Sequence, residues 1–214
     1  MVFCFGNIPN SPLTGASMQP VLCLRYLCLK RIKSSNLNFQ TLDYMTESIL
    51  FGEKDIFSIE LKDYNAKQHT GKIRLWLNGQ QLGDLKTQDE LYDAIKSFKF
   101  LITSKETLYD KAFDLMTNEQ IFSHCLLLDK NFDSFTEDDY KLVNQMRETF
   151  SRWFGEQLDN VVHVIFFKGE YFHFLYSYND YASGKIEYLK NLRYSKVPSE
   201  NVENVILSFL NAVR

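Results

Sequence analysis

Residues 161–178 read Val-Val-His-Val-Ile-Phe-Phe-Lys-Gly-Glu-Tyr-Phe-His-Phe-Leu-Tyr-Ser-Tyr. Two runs of β-branched and aromatic residues flank the dipeptide Lys168-Gly169, which is the pattern of a β-hairpin. Neither run alternates with polar residues, so both strands are apolar on both faces. Such strands belong in the middle of a sheet that other elements cover. The stretch is a folding signal and holds no chemistry of its own.

Toward the C-terminus, residues 179–183 read as a polar turn and residues 184–189 alternate as a third strand. Three strands joined by short links imply an antiparallel meander. Pro198 is placed to start a helix, with Ser199 and Glu200 in its first turn. Val202, Val205, Ile206, Phe209, Leu210 and Val213 follow at i, i+3, i+4, i+7, i+8 and i+11. One apolar stripe of this kind belongs against the sheet.

Upstream of the hairpin, Thr136 is a good N-cap, and Glu137, Asp138 and Asp139 fill a first turn where carboxylates complement the helix dipole. Tyr140, Val143, Met146 or Arg147, Phe150, Trp153 and Phe154 continue at helical spacing, and Gly155 is a natural stop. Asp129, Asn131 and Asp133 stand at alternate positions and invite a calcium-loop reading. Ser134 stands where the loop's sharp turn needs glycine, and Tyr140 where a bidentate glutamate is needed, so no metal is expected. Residues 121–128 fit a buried strand or the end of a helix, and the strand is preferred. Leu108, Ala112, Leu115 and Met116 suit a helix.

In the first half, residues 56–62 read as a half-buried strand, 63–70 as a turn and 73–77 as the next strand. Asn78-Gly79 is a strong hairpin signal, because both central positions of a type I′ turn need positive φ. Residues 80–85 return as the partner. Thr87 and Glu90 have the spacing of a capping box, and Leu91, Ala94, Ile95 and Phe98 form one helical face.

The opening Leu50-Phe51-Gly52-Glu53-Lys54, with the strand after it, resembles the start of the immunity protein 42 family. Residues 75–84, Leu-Trp-Leu-Asn-Gly-Gln-Gln-Leu-Gly-Asp, resemble that family's next hairpin, with its aromatic strand, Asn-Gly turn and Gly-Asp exit. The resemblance covers about Met45 to Arg214. It implies a protein of bacterial polymorphic-toxin systems that binds and neutralises the toxin of its own or sister cells. It also implies a toxin partner, a cytoplasmic location and no cofactor.

Residues 1–44 have a different composition. They hold Pro9, Pro12 and Pro20, three of the four prolines, with four basic residues against one acid. The remaining 170 residues carry 20 basic and 26 acidic side chains, within a whole-chain charge of −3. The apolar run 21–29 is broken by Arg25 and has its positive charges after it, unlike a secretory signal, and is too short to span a bilayer. The segment is expected to be a disordered or loosely attached extension, with a membrane-surface segment as the alternative. A start at Met45 is a further expectation, because the domain-like pattern begins there.

The other bounds are ordinary. At 214 residues, with 45% hydrophobic and 24% charged side chains, one substantial core is expected. Aromatic residues at 15% favour sheet, and the acidic balance argues against a nucleic-acid partner. Cys4, Cys23, Cys28 and Cys125 form no C-x-x-C pair and read as free thiols in a reducing compartment.

No catalytic motif is present. His163 and His173 are the best candidates for a pair. With Lys168-Gly169 as the loop, His163 would face Phe174 and His173 would face Val164, placing the rings on opposite faces. The sequence therefore implies an α+β domain over residues 45–214, with an antiparallel sheet of about six strands and three or four helices. The resemblance to the immunity protein 42 family implies an immunity protein without enzymatic activity. Asp133, Glu137, Asp138 and Asp139 are the candidate partner-binding residues, as an acidic patch for a basic toxin surface. A generic adaptor domain or a small hydrolase without a motif are the alternatives.

Overall fold

A computed structural model of the chain describes residues 47–128, 135–178 and 189–214. They form two antiparallel sheets and, among the described residues, four α-helices, in the α+β class.

The first sheet comprises β1 (Ile49–Glu53), β2 (Phe57–Asn65), β3 (Thr70–Leu77), β4 (Gln80–Leu82) and β5 (Asp89–Glu90). Its order is β1-β2-β3-β4, with β5 also paired to β3. Phe57, Ile59 and Leu61 lie opposite Leu77, Leu75 and Ile73, and all six are buried on one face. At the β3–β4 turn, Asn78 and Gly79 both have positive φ (49° and 76°), as expected of an Asn-Gly hairpin. The expected capping box at Thr87 and Glu90 does not form. Asp89 and Glu90 instead pair with Gly71 and Thr70, so α1 (Tyr92–Thr103) starts after Leu91 without a side-chain cap.

The second sheet is the expected meander, with a different third strand. β6 (Val161–Lys168), β7 (Tyr171–Tyr178) and β8 (Arg193–Pro198) are neighbours in that order. The strand expected at 184–189 lies outside the described residues but for Leu189. The hairpin turn is Gly169-Glu170, one residue later than expected, because Lys168 pairs with Tyr171. β7 is the central strand and β6 an outer one, yet β6 is still covered. Phe113 meets Phe166 at 5.4 Å and Phe150 at 5.2 Å, both edge-on, under α2 (Asn118–Leu126) and α3 (Glu137–Phe150).

Helix α4 (Ser199–Ala212) places its expected stripe in the core, with Val202, Val205, Ile206, Phe209, Leu210 and Val213 all buried. It lies on β1, β2 and α1, where Phe209 packs edge-on against Phe51 and Phe98. Each such ring contributes about 1.5–3 kcal/mol through burial. The Phe57 and Phe174 rings stack at 5.8 Å and join the two sheets.

Three helical expectations change. Residues 118–126 form a helix rather than a strand, because Thr117 and Gln120 make a reciprocal capping box that starts it. Leu108, Ala112, Leu115 and Met116 do not share a helix. Two 3-10 turns, Lys105–Leu108 and Lys111–Leu115, are separated by extended backbone at Tyr109 and Asp110, which resets the phase. α3 ends at Phe150 rather than continuing to Phe154. Gly155 (φ 108°) instead leads into the 3-10 turn Glu156–Leu158.

Gln157 in that turn is buried and polar. Its amide donates to the carbonyls of Gly71 and Thr87 and accepts from the Ile73 N–H, tying the turn to β3.

Candidate functional site

The titratable groups of the interior do not converge. His163 stands opposite Tyr176 and His173 opposite Phe166, so the rings lie on opposite faces as expected despite the shifted turn. His163 Nε2 is 2.8 Å from the Arg152 carbonyl, which fixes the proton on that nitrogen. Burial lowers its pKa, outweighing the backbone hydrogen bonds that favour the charged ring. It lines a cavity of about 20 Å³ between Leu75, Leu77, Phe154 and Phe174, room for about one water. His173 stacks on Phe166 at 4.6 Å and meets the Tyr194 hydroxyl at 2.9 Å. The Cys125 thiol is buried in α2 and pushed up to about 12 by burial and by Asp110, so it is not a nucleophile. Among the described residues, no three His, Cys, Asp or Glu side chains are grouped to hold a metal.

Among the described residues, Glu60 is the one strongly perturbed carboxylate. Burial raises its pKa, but donors overcome that and hold it at about 2. Ser48 Oγ donates to Oε1 at 2.7 Å, while Trp76 Nε1 (2.9 Å) and Arg74 Nη2 (2.8 Å) donate to Oε2. Lys54 lies over the Trp76 ring at 4.1 Å and Arg74 at 4.9 Å. Every partner is a donor that satisfies the carboxylate, so Glu60 organises the outer face of the sheet and has no proton to move at neutral pH.

What is left is surface. Asp133 lies outside the described residues. Glu137, Asp138 and Asp139 form the first turn of α3, as expected. Asp139 Oδ2 accepts from the Thr136 backbone N–H at 3.0 Å and Thr136 Oγ1 accepts from the Asp139 N–H, so this carboxylate belongs to the helix cap. Glu137 and Asp138 project outward with side chains 86% and 95% exposed, and both reach Lys141, at 2.9 Å and 3.6 Å. At such exposure these ion pairs contribute little to stability.

A second surface feature was not anticipated. Between the 3-10 turn Lys111–Leu115 and α2 runs a groove of about 580 Å³ that Ala112, Met116, Ser123 and Leu127 line, with Leu115 at its rim. Leu115 is 92% exposed, the most exposed large hydrophobic residue described. Helical spacing assigns this leucine to the core. A 3-10 turn advances three residues per turn, and after the break at Asp110 that geometry swings Leu115 into solvent. The local signal was Asp110, whose side chain accepts from the Ala112 N–H at 2.8 Å and starts the turn.

Charge is distributed unevenly. Residues 105–150, which supply these elements, hold five basic and ten acidic side chains, and the rest of the chain 19 and 17. The acidic excess of the chain therefore lies within this stretch of its sequence.

Comparison with known proteins adds to this geometry. The family model of immunity protein 42 matches residues 45–212. No curated protein matches the chain. Among solved structures, the chain is similar to the crystal structure of CdiI from Burkholderia dolosa AUO158, with 13% sequence identity and a TM-score of 0.52. The match covers 77% of this chain and 99% of that one. At that identity the likeness speaks to the fold alone.

Proposed function

Since this chain belongs to the immunity protein 42 family, we propose that it neutralises a cognate bacterial toxin by one-to-one binding that covers a surface the toxin needs. The family match, which spans nearly all the described residues, carries this reading. An immunity protein acts by occupancy, so it needs no turnover, metal or cofactor. Binding takes place in the cytoplasm, where a toxin delivered by a sister cell would act. Among the described residues no helix is long and apolar enough to cross a membrane.

The acidic first turn of α3 takes part in contact. Glu137 and Asp138 project from a rigid, capped helix end, and their charge would draw in a basic toxin surface and speed the encounter. Asp133 and Asp139 belong to the same acidic run, Asp139 with a structural duty as cap.

The test is co-expression with the toxin encoded beside this gene, scored by survival. The full chain and residues 45–214 alone should both rescue growth; death in both cases would refute the reading. The double variant Glu137→Lys, Asp138→Lys should bind the toxin about ten-fold more weakly, mainly through slower association. Unchanged affinity would show that these carboxylates serve α3 alone.

A further inference from the structure

We infer that the groove between the 3-10 turn Lys111–Leu115 and α2 seats the toxin's docking segment, an apolar side chain flanked by lysines or arginines. This rests on the immunity reading above and specifies where and with what chemistry the partner is held.

Four observations converge on it. The first is Leu115 itself, a leucine 92% exposed that lines the groove with Ala112, Met116 and Leu127, beside the polar Gln120, Ser123 and His124. Among the described residues nothing covers it, and the hydrophobic effect favours a partner that does. The second is size, since about 580 Å³ is in the range of built binding pockets and admits more than one side chain.

The third is the floor. Leu127 sits at the end of α2 with φ 49° and ψ 41°, a conformation that favours glycine. The Leu127 N–H donates to the His124 carbonyl and the Leu128 N–H to that of Ser123, so the helix stop holds this backbone in place. Glycine would relieve the strain and remove the side chain that closes the groove's end. Strain of this kind gathers at binding sites, where a preformed shape is worth its cost.

The fourth is charge, which chooses the occupant. Glu119 lies in the first turn of α2, Asp110 caps the 3-10 turn and Asp114 lies within it, so the two elements that bound the groove carry three carboxylates. Lys168 pairs with Asp114 at 2.6 Å, and Lys111 lies on the same 3-10 turn as Asp114. The described residues of the stretch 105–150 carry eight acidic side chains against four basic ones. An acidic partner would be repelled, whereas a segment with an apolar tip and basic shoulders satisfies both the groove and its surroundings.

The probe is the purified C-terminal domain of the toxin encoded beside this gene, titrated calorimetrically onto the full chain. Leu115→Glu should weaken binding by at least about ten-fold, as burying the anchor of an interface commonly contributes that much. Glu119→Lys should slow association and flatten its salt dependence. Leu207→Glu, at an exposed position on α4, should bind like the wild type. Since Leu115 and Leu207 are both exposed, thermal melts should be unchanged.

If the wild type binds and Leu115→Glu binds equally well, the groove inference is wrong and the immunity reading stands. If the wild type does not bind at all, both fall. If sedimentation shows a dimer that Leu115→Glu dissolves, the occupant is a second copy and the inference is overturned.

Discussion

Glu60 shows how much one residue can organise without being a site. Its carboxylate gathers Ser48, Arg74 and Trp76 on the outer face of β2 and β3, and its folded pKa of about 2 lies below the ordinary 4.5. The folded state binds the proton less readily than the unfolded state. The stabilisation is therefore complete above about pH 4.5 and is lost as pH falls toward 2. Glu60→Gln should lower stability by about 2 kcal/mol at pH 7, because the Arg74 guanidinium loses its charged partner. Urea denaturation should show that deficit shrinking below pH 4.5. A deficit constant from pH 7 to 3 would mean that shape rather than charge is what matters at this position. Leu115 shows the reverse case, a residue whose chemistry is ordinary and whose placement is everything. Nothing in its identity distinguishes it from the core leucines.

At the scale of the element, what was legible was local. The α4 stripe, the Asn78-Gly79 turn and the Thr136 cap each depend on residues within about three turns of one another, and all three stand as read. Elements governed by distant partners were misread. Thr87 and Glu90 have capping spacing, but pairing of β5 with β3 takes those residues into the sheet. Residues 121–128 look like a buried strand because most of their side chains are buried, and periodicity cannot tell a buried helix from a buried strand. The overlooked clue was the capping box at Thr117 and Gln120. Thr117→Ala should accordingly cost about 1 kcal/mol, read as a lowered urea midpoint. An unchanged midpoint would show that packing against α3, rather than the cap, holds α2 in place. The same division applies to the candidate site. The acidic turn of α3 was visible because three carboxylates in a row are a local fact, and the groove was not, since a broken 3-10 turn creates it.

For the whole molecule, the sheets and helices share one core, and the acidic excess lies in the sequence stretch 105–150. α4 bears a consequence for how the protein comes into being. It is the last element described, yet Phe209 packs on Phe51 of the first strand and the Tyr64 hydroxyl donates to the Val213 carbonyl. A chain is made from its N-terminus, so β1 and β2 leave the ribosome before the helix that packs on them has been made. Nascent chains arrested just before Ser199 should be cleaved by protease throughout the first sheet, and chains released at full length should resist; early resistance would show that the sheet closes alone. Protection is then vectorial only at its end, and a cell meeting its sister's toxin relies on copies finished beforehand.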